Sequence, residues 1–316
     1  MSYFKKVHPF LQFLIFIGMA FGTIIIFTVI GAMILSSITG LSVATVADPT
    51  KWDFNDPRTL TVARGSVIVQ FFGFFLIPTF LFARFCDTKP GQWLGLRSAK
   101  PLYFILGTIV LIVALPLVNW TGVINNELIP ETTAIGKWMK ASEEATGKLQ
   151  EFLLKKRDIQ GLFLNLLIVA VFAGVGEELF IRGVLQRLFI KMFKNPWAGI
   201  LVAAFIFSVI HFQFYGFIPR FILGILLGAI YWYSGSLWPA IVAHFAYDAF
   251  AVILIYFRPD MADNENMNAM MGNLIIMATI SLAIVIGIVI AMKKRSTTTY
   301  ETMYARDKID ESNPFA

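Results

Sequence analysis

Eight apolar runs, each close to the length needed to cross a bilayer, dictate the architecture before any single residue is considered. A helix needs roughly 20 apolar residues to traverse the hydrocarbon core. Such runs lie near 10–38, 65–85, 102–124, 159–182, 197–214, 219–234, 236–257 and 273–292. Lipid offers no partner for backbone N–H and C=O groups, so runs of this kind are helical. The composition agrees: the chain is 57% hydrophobic and 15% charged, with a mean hydropathy of +0.72. Soluble domains are nearer about 25% charged. The expected fold is therefore an all-α polytopic transmembrane helix bundle of about eight spans.

The basic residues give the bundle a direction. Lys5 and Lys6 precede the first span, Arg84, Lys89, Arg97 and Lys100 follow the second, Arg187, Lys191 and Lys194 follow the fourth, and Lys293, Lys294 and Arg295 follow the last. With eight spans these groups share one side, which the positive-inside tendency assigns to the cytoplasm together with both termini. The opposite connections, Leu41–Arg64 and Asp260–Asn268, are mixed or acidic. The stretch Ala134–Lys156 in the segment Asn125–Arg157 has an amphipathic pattern, suited equally to a membrane surface or a solvated helix. Pro116 is expected to kink the third span. The polar tail 296–316 is expected to be disordered in the cytoplasm. A multi-pass cell-membrane protein follows, with membrane lipid as a partner, and the net charge of +6 requires no nucleic acid. The single cysteine, Cys86, excludes an intrachain disulfide and a cysteine-based metal site.

Against this apolar background a few polar residues stand out. Glu177 and Glu178 are adjacent near the end of the fourth run, and two of the three histidines, His211 and His244, also lie inside apolar runs. A carboxylate at the centre of a lipid-embedded helix costs about 2.5–3.5 kcal/mol on insertion scales, so such residues mark function by default. Simple hairpin geometry brings them to one depth. Glu177 lies nineteen residues before Pro196 and His211 fifteen after it, similar heights above that turn at about 1.5 Å per residue. Carrying the level through the turns near Gly216 and Gly235 reaches a point between His244 and Asp248. Glu178 and Arg182 are four residues apart and can pair on one helix face. Glu177 points about 100° away and is free for another partner.

These residues are similar to the signature of the CAAX-protease and bacteriocin-processing family of intramembrane endopeptidases, also called the Abi family, which includes the type II CAAX prenyl endopeptidases. The family pattern EExxxR, FxxxH, HxxxN/D is matched by Glu177-Glu178-Leu-Phe-Ile-Arg182, Phe207-Ser-Val-Ile-His211 and His244-Phe-Ala-Tyr-Asp248, in order and in separate apolar runs. The resemblance covers roughly 159–257, with a weaker echo in Leu94-Gly95-Leu96-Arg97. It implies four regions: N-terminal spans and outer loop over 1–158, a catalytic core of spans four to seven over 159–257, a last span over 258–295, and the tail.

It also implies peptide-bond hydrolysis in a membrane-associated peptide or protein, lipidated or not. Glu177 would be the general base, His211 its partner in activating water, His244 and the Asp248 position would serve the oxyanion, and Glu178, Arg182 and Phe207 would support them. An ionised Asp cannot donate to an oxyanion where Asn can. Asp248 is therefore expected to orient His244 by accepting its ring N–H, or else to be protonated. No cofactor is expected, although Glu177, His211 and His244 would form the ligand set of a zinc-dependent version with an open fourth position. Two further readings remain open: a non-proteolytic immunity or scaffold protein, and a proton-coupled transporter. Ser208 has no evident base at helical spacing, Cys86 lies away from the histidines in sequence, and His8 sits at the membrane boundary with no assigned role.

Overall fold

A computed structural model of the chain describes residues 3–156, 158–262 and 273–307. Among the described residues the chain is all-α. The principal helices are α1 (Pro9–Thr39), α2 (Pro57–Cys86), α3 (Pro101–Val113), α4 (Leu115–Glu127), α5 (Ala134–Leu154), α6 (Ile159–Phe193), α7 (Pro196–Val209), α8 (Phe217–Ser234), α9 (Trp238–Phe257), α10 (Leu274–Arg295) and the short α11 (Tyr300–Met303). Six of them are long and apolar enough to cross a membrane, and α3 with α4 makes a seventh, broken span bent by 42°. The break falls at Ala114, just before Pro116, as a proline that cannot donate to the helix ladder demands.

The fifth apolar run behaves differently. Helix α7 has only 14 residues, about 21 Å of helix against a core of about 30 Å. It leads from the turn after α6 to the level of mid-α6, and α8 returns from there. Helix α2 also departs from its expected start: it begins at Pro57, because Asp56 caps it by accepting from Arg58 N–H. The acidic connection expected over Asp260–Asn268 lies outside the described residues beyond position 262.

Local signals set the other boundaries. Asp158, Asn195 and Asn273 cap α6, α7 and α10 through their side-chain oxygens. Gly235 closes α8 at φ +69°, a left-handed turn that admits α9 back beside its neighbour. The lipid-facing helices are apolar outward, with Ile25, Ile26 and Ile275 exposed, as expected where the solvent is hydrocarbon. The buried core joins α6, α8 and α9 through Ile181, Leu185, Ile230 and Ala243. Helix α6 and helix α9 touch at Gly174, where an added Cβ would sit 3.0 Å from Phe245 N. Helix α8 meets α7 at Gly224, where a Cβ would come 3.0 Å from Ala204 Cβ. Small residues at these crossings let the backbones close up.

Helix α6 is α-helical only at its ends. Leu166–Val171, Ala173–Glu177 and Leu179–Gln186 are π-helical, a wider winding often found at functional sites. A π-helical stretch in α2, Phe71–Leu76, packs beside it, with Phe71 stacked on Phe172 at 4.2 Å.

The tail corrects an expectation. Residues 296–307 are not disordered: Met303 and Tyr304 are buried at 2% and 4% exposure. Arg187 on α6 lies between the Trp93 and Tyr304 rings, 4.8 and 4.7 Å from their centroids. It pairs with Asp307 at 2.9 Å, and Arg306 pairs with Asp87 at 2.6 Å. Tyr300, Met303 and Tyr304 supply apolar surface that a tail read as polar was not credited with. Residues 308–316 lie outside the described part.

Candidate active site

Four helices converge midway along α6. Glu178 is fully buried, and its Oε1 accepts twice: from Arg182 Nη1 at 2.7 Å and from His244 Nδ1 at 2.8 Å. Arg182 also donates to Gly224 O at 3.2 Å and lies over the Phe207 ring, 4.6 Å from its centroid. Phe207 packs edge-on against both imidazoles, at 4.9 Å from His211 and 6.1 Å from His244. It is the wedge that spaces the histidines. The i, i+4 pairing of Glu178 with Arg182 is as its sequence spacing predicts.

Glu177 is the carboxylate left over. Its Oε2 stands 3.9 Å from His211 Nε2 and 4.0 Å from His244 Nε2. Both gaps are too long for direct hydrogen bonds, which run about 2.7–3.2 Å. They suit a water molecule held between the groups by two legs of about 2.8 Å. The tautomer of His211 follows from its neighbour. Its Nδ1 is 2.6 Å from Phe207 O, and a carbonyl only accepts, so Nδ1 carries the proton and Nε2 faces Glu177 as an acceptor. His244 also carries a proton on Nδ1, which donates to Glu178, and its Nε2 faces Glu177 and Asp248.

Asp248 stands 3.4 Å from His244 Nε2. The short bond that orients His244 therefore comes from Glu178, on a different helix, rather than from Asp248 one turn along. The sequence contained this signal only as an unexplained second glutamate. Ser208 is engaged structurally, donating to Phe217 O at 2.6 Å. Cys86 is buried beside the tail cluster, away from the imidazoles. In the set that a zinc-dependent version would use, Glu177 Oε2 lies 3.9 and 4.0 Å from the Nε2 atoms of His211 and His244, and among the described residues no group of three or more His, Cys, Asp and Glu is arranged to hold a metal ion.

His211 lies in the turn beyond α7. The next residue, Phe212, has φ +52°, a left-handed conformation costly for a bulky side chain and frequent at functional sites. Phe212 O accepts from Ser142 of α5 at 2.7 Å, and Tyr215 N–H donates to Glu143 at 3.2 Å. The amphipathic helix α5 thus lies over the His211 turn. Arg220 secures the far side of that turn, donating to Gln213 O at 2.6 Å and to Gln213 Oε1 at 2.7 Å. Its charge acts on Glu177 and on His211. Neither Gln213 nor Arg220 was singled out by sequence reading, because neither falls in a motif.

Beneath α5 opens a cavity of about 1120 Å³. Its walls come from α4, α5, the α1–α2 connection and the start of α8, and its lining includes Gln213 and Arg220.

These features define a class: a multi-pass membrane protein whose bundle interior holds a carboxylate–imidazole cluster next to a polar cavity. Residues 159–250 match the sequence model of the family described as type II CAAX prenyl endopeptidase Rce1-like. This segment is therefore similar to that family of membrane peptidases. It is also similar to the uncharacterized protein YpbD of Bacillus subtilis, with 31% identity over 138 residues, 42% of this chain. The match spans 66% of that relative's length. No solved structure matches the chain.

Proposed function

We propose that the chain is an intramembrane endopeptidase of the cell membrane, with both termini cytoplasmic, that hydrolyses a peptide bond in a membrane-associated peptide or protein without a resident metal. The observation that carries this reading is the placement of Glu177, 3.9 and 4.0 Å from two imidazoles that are each held by a separate partner. A structural ion cluster would leave no carboxylate over.

The chemistry follows from the proton positions. Glu177 takes a proton from the bridging water as the water oxygen bonds to the scissile carbonyl carbon. His211 Nε2 accepts a hydrogen bond from the same water and orients it. The carbonyl electron pair moves onto oxygen, and His244 Nε2–H donates to that oxyanion while Glu178 stabilises the imidazolium through Nδ1. Asp248, 3.4 Å from that same Nε2, places its charge beside the imidazolium and cannot itself donate to the oxyanion when ionised. Collapse of the tetrahedral intermediate breaks the C–N bond, and Glu177 returns its proton to the leaving nitrogen. The products are a carboxylate and an amine. The low-dielectric surroundings strengthen each of these interactions.

The test is Glu177→Gln in purified protein reconstituted in liposomes, assayed on prenylated CAAX-type peptides and on unmodified membrane peptides. Proton transfer of this kind supplies about 10²–10⁴ in rate, and a loss of that size is expected. Cleavage at the native rate would refute the assignment and favour a scaffold or immunity role. Treatment with a chelator, with metal analysis of the purified protein, checks the metal-free chemistry: unchanged activity is expected.

A further inference from the structure

We propose that Arg220 is a positioning residue: its guanidinium, clasped on Gln213, holds the turn that brings His211 Nε2 to Glu177. The inference rests on the endopeptidase reading above and adds to it a residue that lies outside the motifs.

His211 is not carried by a helix. Helix α7 ends at Val209 and α8 starts at Phe217, so the imidazole depends on the connection between them. Both ends of that connection are anchored. The first continues α7, with Phe212 N–H donating to Val209 O at 3.1 Å. The second is tied to α4, where buried Asn125 donates to Phe214 O at 2.8 Å and accepts from Ile218 N–H at 3.0 Å. Phe212 and Gln213 link the two anchors, and there the backbone is strained. Phe212 takes φ +52°, a left-handed conformation that a bulky residue keeps only where its surroundings over-determine it. Its own ring does not supply the compensation, being 54% exposed.

Two contacts hold the link. Ser142 Oγ donates to Phe212 O at 2.7 Å, between exposed groups. Arg220 donates to Gln213 O at 2.6 Å and to Gln213 Oε1 at 2.7 Å, and Gln213 is buried. The arginine contact is the stronger, because a charged donor roughly doubles a hydrogen bond and the planar fork fixes direction as well as distance. One turn along α8 from Arg220, the Gly224 carbonyl accepts from Arg182. The clasp and the support of the Glu178–Arg182 pair therefore share one face of α8. The guanidinium lies close against the connection: at Gly216 an added Cβ would sit 2.8 Å from both of its terminal nitrogens. Gly216 has φ −106°, which any residue adopts, so alanine there disturbs the arginine and not the backbone. The His211 Nε2 to Glu177 Oε2 gap of 3.9 Å fits one bridging water, and misplacing such a group by about 1 Å costs about 10² in rate.

The experiment compares Arg220→Met, Arg220→Lys and Gly216→Ala in purified full-length protein reconstituted in liposomes. It reads kcat and KM on the prenylated CAAX-type and unmodified membrane peptides, and ¹⁵N NMR of protein with labelled histidine. The chain has three histidines, so the His211 signals are assigned by their loss in His211→Gln. Lysine keeps the charge, which also acts on Glu177, but lacks the fork. Gly216→Ala keeps the arginine but displaces its guanidinium. We expect all three variants to lower kcat by about 10- to 10²-fold at unchanged KM. We also expect the His211 nitrogens to move from the Nδ1–H tautomer toward a mixture, with those of His244 unmoved. Native His211 signals in the variants overturn the proposal. So does full activity in Arg220→Lys together with Gly216→Ala, which would make the charge rather than the clasp what matters. Gly216→Ala retains every charged group and carries the test where Arg220→Met fails to fold. The NMR readout needs no hydrolysis. If Glu177→Gln cleaves at the native rate while the His211 signals respond, the enzyme reading falls and the clasp stays; native signals alongside an inactive Glu177→Gln do the reverse.

Discussion

Helix α6 carries two buried charge clusters, and they are built on opposite principles. Near the end of α6 beside the tail, Arg187 is enclosed: two aromatic rings hold it, Asp307 neutralises it, and Trp93 Nε1 and Lys191 complete the carboxylate at 2.8 and 3.5 Å. Nine and five residues earlier, Glu178 and Arg182 form an equally buried pair, but Glu177 beside them has only imidazoles at water-bridging distance. A closed cluster fixes structure, because every charge has a partner and nothing is left to react. An open cluster keeps one group unsatisfied until a water or substrate arrives. Buried charge alone therefore does not identify a site; the unpaired member does.

Substitutions can break this comparison, beginning where the effect should be greatest. Glu177→Gln is predicted to cost about 10²–10⁴ in hydrolysis while leaving the thermal transition in detergent unchanged, since no partner is orphaned. A drop in stability matching that of its neighbour would make the two glutamates equivalent and remove the contrast. Glu178→Gln is predicted to do both kinds of damage. It leaves Arg182 buried without its counter-charge, at about 3–5 kcal/mol, and releases His244, so thermal stability and turnover fall together.

Gly174→Val sharpens the structural side. An added side chain meets the α9 backbone at 3.0–3.3 Å, and overpacking of that kind costs about 1–3 kcal/mol. Because it pushes α9 from α6, the His244–Glu178 bond should lengthen and activity should fall more than stability. Activity falling only in step with stability would show that the crossing is not what places His244.

The smallest effect concerns the closed cluster. Asp307→Asn is predicted to free the tail to proteolysis at a cost of about 1–3 kcal/mol, with turnover per folded molecule unchanged. The same contact has a pH signature. Burial works to raise the Asp307 carboxyl, but Arg187, Lys191 and the Trp93 N–H outweigh it and hold the group below the usual carboxylate range. A depressed value means docking stability is fully present above the ordinary Asp pKa of about 3.9 and drains away below it. Tail protection in hydrogen exchange should thus be flat from neutral pH to about 5 and fall at lower pH. Loss of protection already between pH 7 and 6 would assign the docking to another group.

Much of the bundle was legible because lipid simplifies the code. Backbone groups without water must close on themselves, so run length predicts helices, and Pro116 predicts a bend. The depth of Glu177, His211 and His244 was legible for the same reason: helical rise converts residue counts into height. Side-chain partnership was not. Glu178 faces His244 because α6 winds as a π-helix and Gly174 lets α9 approach, and neither fact is written in the local spacing. The tail was misread because Tyr300, Met303 and Tyr304 are too few to form a periodic pattern. Their burial exists only because Arg187 and Trp93 offer a surface to cover.

The sequence by itself determined that this chain is a multi-pass helical membrane protein with acid and imidazole groups at one depth, because hydrophobicity and helical rise are local and additive. The tertiary structure alone decided which carboxylate is paired and which is left open, where the cavity lies, and that the tail closes one end. Those outcomes depend on how neighbouring helices cross, and crossing is set by contacts between residues far apart in the chain.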